Sequence, residues 1–169
     1  IAERALRSAK ARAAAKRASE TIKRQSFLGR TGSLPGKLSD CNSEDNVNTE
    51  LFIVEGDSAA GSSKFGRDPE FQAVMPIRGK IINPEKNDYA RLIQNEEVSS
   101  IISALGTGIR DEFKIEDLRY GKIVIMTDAD DDGAHIAALL MTFFYRFMRP
   151  LVTSGKLYLA KPPLYRVNV

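Results

Sequence analysis

The stretch KIVIMTDADDDGAH, residues 122–135, decides the fold. Ile123, Val124, Ile125 and Met126 form a short apolar run, the pattern of a strand buried on both faces of a parallel sheet. Asp128, Asp130, Asp131 and Asp132 come directly after it. Gly133 predicts a sharp turn, and the run to Met148 predicts a helix over 133–148. Ile136, Leu139, Leu140, Met141, Phe143, Phe144 and Phe147 make that helix apolar nearly all round, hence buried. A strand that ends in carboxylates and then turns into a helix places those carboxylates at the carboxyl edge of a sheet. Open α/β folds keep their ligands at that edge. Oxygen-only clusters suit hard cations such as magnesium. Without a cation or protonation, such charges repel one another strongly.

Outward from this stretch, strands alternate with helices. Leu51 to Val54 read as a strand ending in Glu55, Gly56 and Asp57, and residues 58–66 as the start of a helix close to the sheet. Phe71 to Ile77 form a second strand, stopped by Arg78, Gly79 and Lys80. Residues 81–87 read as loop, Tyr89 to Leu105 as one or two helices ended by Gly106 and Gly108, and residues 110–120 as short and mixed. Pro150 is expected to end helical structure after the long helix. Lys156 to Ala160 make a last strand, closed by Pro162 and Pro163. The result is an α/β domain with a mainly parallel sheet flanked by helices, over residues 50–169. Before it, residues 1–25 predict one long basic helix without Gly or Pro, and residues 26–49 a linker loop.

The 169 residues suffice for one domain with a core and a flanking element. The single cysteine, Cys41, excludes an internal disulfide and fits a reducing, cytoplasmic compartment. No base or second thiol accompanies it, so it reads as inert. No apolar run approaches the ~20 residues of a membrane span, and no secretory signal opens the chain. The chain starts at Ile1 rather than Met and reads as part of a longer polypeptide. The formal charge of +3 is unevenly placed: residues 1–40 hold ten Lys/Arg against three Asp/Glu, and the remainder fifteen against nineteen. A basic arm beside an acidic domain suits a polyanion at the arm and cations at the domain.

Two strands end alike, IVEGD at 53–57 and MTDAD at 126–130. If they are neighbours in a parallel sheet, Glu55 and Asp128 converge. In an extended segment, Asp128, Asp130 and Asp132 would share one side and Asp131 would face the other. One Glu and three Asp would then surround a single cavity, a site for one or two metal ions. A solvated acidic turn is the alternative. Arg78 and Lys80 can reach the same edge and suit a phosphodiester, or they balance the acidic rim. His135, the only histidine, can donate to a phosphate or serve the turn.

EGDSA (55–59), PIRGK (76–80), TDADDDGAH (127–135), PPLY (162–165) and LPGKLSDC (34–41) together resemble the B subunits of bacterial type IIA DNA topoisomerases. The resemblance covers essentially the whole chain and identifies a Rossmann-like Toprim domain preceded by the end of the transducer helix. ALGTGIRDEF (104–113) lies nearer the gyrase branch than the topoisomerase IV branch. The resemblance implies an isomerase that cuts double-stranded DNA, passes a second duplex through the gap and reseals it. Its nucleophilic tyrosine sits on a partner A subunit in an A2B2 heterotetramer, and ATP is used by the full-length B subunit only. The match makes Glu55, Asp128, Asp130 and Lys80 catalytic. Glu55 and Asp128 would hold one Mg2+, and Asp128 and Asp130, supported by Asp132, a second. Arg78, Lys80 and His135 would face DNA, and Asp57, Arg78 and Glu85 would line the quinolone inhibitor pocket. This chain departs from the family pattern at Ala60, usually Gly, and at Asp131, usually uncharged. Another Toprim nuclease or primase would not be expected to carry LPGKLSDC and PPLY. A phosphoacceptor receiver would need its acidic pair near the first strand.

Overall fold

The computed structural model describes residues 35–163. The basic helix expected over 1–25, and Leu164 and Tyr165 of PPLY, lie outside the described residues. The elements run β1 (Glu50–Glu55), α1 (Gly56–Gly66), β2 (Gln72–Ile77), α2 (Tyr89–Gln94), α3 (Glu96–Leu105), β3 (Lys122–Met126), α4 (Asp131–Phe147), α5 (Arg149–Thr153) and β4 (Leu157–Leu159). Two single-turn 3₁₀ segments occupy the mixed stretch after α3. All four strands are parallel, in the order β2-β1-β3-β4.

That order follows from the crossovers. β1–α1–β2 moves outward on one side, and the chain then returns past β1 to lay down β3 and β4 on the other. Parallel crossovers are right-handed, so a change of direction puts the helices on opposite faces. α1 therefore covers one face, where Ala60 sits on Val54 and Val74. The other face carries α2, α3 and α4, whose Leu92, Ile101, Leu105, Leu140, Phe143 and Phe144 pack on Leu51, Ile53, Met75, Ile123 and Ile125.

Two expectations fail for the same physical reason. β3 is not buried on both faces: Ile123 and Ile125 are buried, whereas Val124 and Met126 are only partly covered, because a single helix serves that side. Nor is the long helix enclosed all round. Its core face is buried, but Met141 and Tyr145 are exposed, because α4 lies on the outside of the sheet. Pro150 also does not end helical structure. It stands in the first turn of α5, where its missing N–H costs nothing.

Residues 35–49 have no helix or strand, as a loop should, but they are bound along the domain. Lys37 pairs with Glu97 of α3 at 2.5 Å, and Ser39 bridges antiparallel to Val74. Arg67 donates through one terminal nitrogen to the carbonyls of Ser39, Asp40 and Gln72. The Asp40 carboxylate accepts from the buried Tyr120 hydroxyl at 2.7 Å and from Arg119. Burial pushes the Tyr120 hydroxyl's pKa up, so it stays a donor. Burial and the Asp40 charge also raise the Cys41 thiol above its ordinary value, in keeping with an unreactive cysteine. Among the described residues, no helix is long and apolar enough to cross a membrane.

Asp40→Ala should cost about 1–3 kcal/mol of stability, because it strands the buried Tyr120 hydroxyl; Tyr120→Phe, which removes the donor, should cost about 0.5–1.5 kcal/mol. Urea denaturation gives both values, and a larger loss for Tyr120→Phe would contradict the assignment.

Candidate functional site

The reversal of winding direction falls between β1 and β3, and a crevice opens outside the carboxyl ends of strands at such a point. The β1–β3 register pairs Val54 with Met126, so the chain leaves both strands at the same height. Glu55, the last residue of β1, then lies beside the exit of β3. Its Oε2 accepts the Asp128 backbone N–H at 3.2 Å. The two strand-end acids expected to converge are therefore neighbours. The Asp128 carboxylate is exposed and has no protein partner among the described residues.

The alternation suggested by the spacing of the aspartates stops at Asp130. That residue is extended (φ −130°, ψ 178°), and its Oδ1 turns back to accept the Gly133 N–H at 2.7 Å, making Asp130 the N-cap of α4. Asp131 and Asp132 are already helical. A capping aspartate satisfies an orphan N–H, and acids in the first turn are favoured by the helix dipole, so helix wins over strand here. Consequently Asp128, Asp130 and Asp132 do not share one side of an extended chain. Among the described residues, no three acidic, histidine or cysteine side chains close on a common point at metal-binding range.

Gly133 also differs from expectation. It makes no turn but stands buried in the first turn of α4, pressed on the Asp128 backbone. A Cβ there would lie 2.1 Å from the Asp128 carbonyl oxygen and 2.9 Å from its nitrogen. Only glycine lets the helix come this close, and the contact sets where Asp128 stands relative to Glu55. Nothing in the local sequence pattern distinguishes this need from that of an ordinary turn. Glycines that do bend the backbone at this edge are Gly56, the first residue of α1, at φ +78°, and Gly79, after β2, at φ +68°.

Two cations flank the acids. Lys80 Nζ lies 2.6 Å from Asp132 Oδ1, and this ammonium holds the Asp132 carboxyl below the ordinary carboxylate value. Arg78 Nε lies 3.0 Å from Asp57 Oδ2, on the α1 side. His135 is exposed in the second turn of α4, one turn on from Asp132. Glu85 pairs with Arg146 in the last turn of α4, not with Asp57 or Arg78.

Residues 50–162 match the Toprim domain family model. The chain belongs to the Toprim family. This Toprim chain is also similar to proteins named as the B subunit of DNA gyrase. It is 61% identical over 158 residues to that of Thermotoga maritima, covering 94% of this chain and 25% of the relative. It is 54% identical to that of Streptomyces coelicolor and 56% to that of Halalkalibacterium halodurans, covering 99% of this chain and 24% and 26% of those proteins. The chain thus spans about a quarter of the length of the curated relatives it matches. Ala60, noted as a departure from the family's usual glycine, is the buried residue through which the Toprim helix α1 meets the sheet.

Two outcomes are expected. Gly133→Ala should cost about 1–3 kcal/mol through overpacking and should shift the Asp128 amide resonance, read by thermal denaturation and by heteronuclear NMR. Because Lys80 depresses Asp132, their contact is present above the ordinary carboxylate value of 3.8 and is lost as pH falls below it. Lys80→Met should raise the Asp132 midpoint in an NMR titration; an unmoved midpoint would refute the pairing.

Proposed function

We propose that this carboxyl edge is the acidic, metal-bearing half of a DNA cleavage and religation centre, in the B subunit of a gyrase-type type IIA topoisomerase. The nucleophilic tyrosine comes from a partner A subunit in an A2B2 assembly, and ATP is used elsewhere in the whole B subunit. The observation that supports this most directly is the pairing of Glu55 with the Asp128 backbone across adjacent parallel strands. The relatives' names favour gyrase over topoisomerase IV.

The donor set fits magnesium. It is all oxygen, and Mg2+ keeps several waters and is held by one or two carboxylates together with substrate phosphates. A protein cluster of three or more ligands is therefore not required. Glu55 and Asp128 would hold one ion, and Asp128 with Asp130, supported by Asp132, a second. When bound, the metal supplies positive charge where the attacked phosphate and the leaving 3′ oxygen become more negative.

The remaining work belongs to the chain's own residues. Arg78 and Lys80 would hold the phosphodiester beside the acids through charge-assisted hydrogen bonds, with His135 at the outer margin. Glu55 would move a proton at the 3′ oxygen as general acid and base. Asp57, Arg78 and Glu85 would contact quinolone-type inhibitors. Asp132 would exchange Lys80 for a cation when phosphate draws the ammonium away.

Plasmid cleavage by whole B subunit reconstituted with its A subunit and magnesium tests this reading. Asp128→Asn should lower cleavage by about 10² or more, as for the loss of a major electrostatic stabiliser. Asp130→Asn should be nearly as severe, and it is informative because asparagine still caps a helix. Asp132→Asn should be milder. Asp131→Val should be tolerated, because Asp131 is exposed and its loss removes only about 0.3–1 kcal/mol of helix-dipole interaction. If Asp131→Val is as inactive as Asp128→Asn, the assignment of the acids is wrong.

A further inference from the structure

Asp57 is an acid placed where DNA would bring more negative charge, and simple electrostatics disfavours it there. Its partner is Arg78, with Nε 3.0 Å from Asp57 Oδ2. Both side chains are well exposed, 65% for Arg78 and 60% for Asp57. An exposed pair of this kind contributes roughly 0–1 kcal/mol to stability, so the pairing matters chiefly for where it puts the guanidinium. Both ends are set by backbone turns. Asp57 follows Gly56 (φ +78°) on the first turn of α1, and Arg78 precedes Gly79 (φ +68°) at the end of β2.

The atom used is informative. Held through Nε, Arg78 keeps both terminal nitrogens without a partner among the described residues. Those nitrogens form a planar fork of the geometry that binds a phosphate through two parallel hydrogen bonds. Lys80 differs, because its single ammonium is itself engaged by Asp132. Glu55 ends β1 two residues before Asp57, so the fork stands on the flank of the strand-end acids.

We propose that Asp57 is a positioning residue: it holds Arg78 by Nε so that the terminal nitrogens seat one DNA phosphodiester beside Glu55. This rests on the reading of Arg78 as a phosphate-facing residue. The sign of its effect is opposite to that of charge alone. Removing an acid next to a polyanion should tighten binding if only net charge counts, whereas losing the positioning contact should weaken it.

The test uses whole B subunit with its A partner and a fluorescent linear duplex, with affinity followed by anisotropy across a salt series. Arg78→Ala should weaken binding about tenfold near ~0.1 M salt and lower the salt slope by about 1, as for one lost phosphate contact. Asp57→Ala should weaken binding several-fold despite removing a negative charge, with the thermal midpoint unchanged. Asp57→Asn should recover most of the loss, since its amide oxygen still accepts from Nε. In the Arg78→Ala background, Asp57→Ala should add no further loss. If Asp57→Ala tightens binding or leaves it unchanged while Arg78→Ala weakens it, positioning is refuted and the phosphate reading of Arg78 stands. An equal Asp57→Ala loss in both backgrounds also refutes positioning. If Arg78→Ala leaves binding unchanged, the phosphate reading fails and the proposal fails with it.

Discussion

The parallel ladder between β1 and β3 is the constraint on which the rest of the structure depends. Its register sets Val54 against Met126, and so brings Glu55 level with the residues that leave β3. A slip of one residue would turn Glu55 to the opposite face of the sheet, because side chains alternate along a strand. The ladder is held by Leu51, Ile53, Ile123 and Ile125, all fully buried under α3 and α4. Hydrophobic packing far from the acids thus determines how they meet.

Above that ladder, the start of α4 decides how the negative charge is distributed. Five acids stand close together, counting Glu55 with Asp128, Asp130, Asp131 and Asp132. The fold tolerates them because each meets something positive or is left in water. Asp130 accepts a helix N–H, Asp131 and Asp132 lie in the first helical turn, and Asp132 also faces Lys80. Glu55 accepts the Asp128 amide. Asp128 and Asp131 both keep exposed carboxylates without a protein partner among the described residues, but only Asp128 stands at the strand exit beside Glu55, which suits a group that meets a ligand. Gly133 allows all this by letting the helix backbone rest on that of Asp128.

The segment ahead of β1 adds a second kind of rigidity. Asp40, Arg67 and Lys37 fasten residues 37–43 to β2, to α3 and to the turn that carries Tyr120. These bonds are partly buried and span many residues, so they resist local opening more than the exposed pairs at the functional edge. The contrast is physically sensible. Contacts that must exchange for a phosphate are exposed and weak, whereas contacts that hold the frame are shielded.

Much was legible in the sequence because it was local. The apolar runs at 51–54 and 123–126, the aspartate burst, the helical spacing after Tyr89 and the prolines after β4 specified an α/β chain, and the paired strand ends pointed to Glu55 and Asp128. What the sequence pattern could not resolve was any competition between local alternatives or any approach of distant segments. Asp128-x-Asp130-x-Asp132 reads equally as alternating strand or as cap and first turn, and the structure adopts the cap, with Gly133 resting on the Asp128 backbone. The need for glycine at 133 comes from a backbone five residues back that the helix folds against. The partial exposure of Val124 and Met126, and the exposure of Met141 and Tyr145, follow from the direction of three crossovers, which no single segment encodes. Arg78 with Asp57, and Lys80 with Asp132, meet only because β2 and β3 flank β1. Composition and periodicity determined the elements by themselves, while the pairing of charges across them required the sheet, because side chains 21 and 52 residues apart have no local force to bring them together.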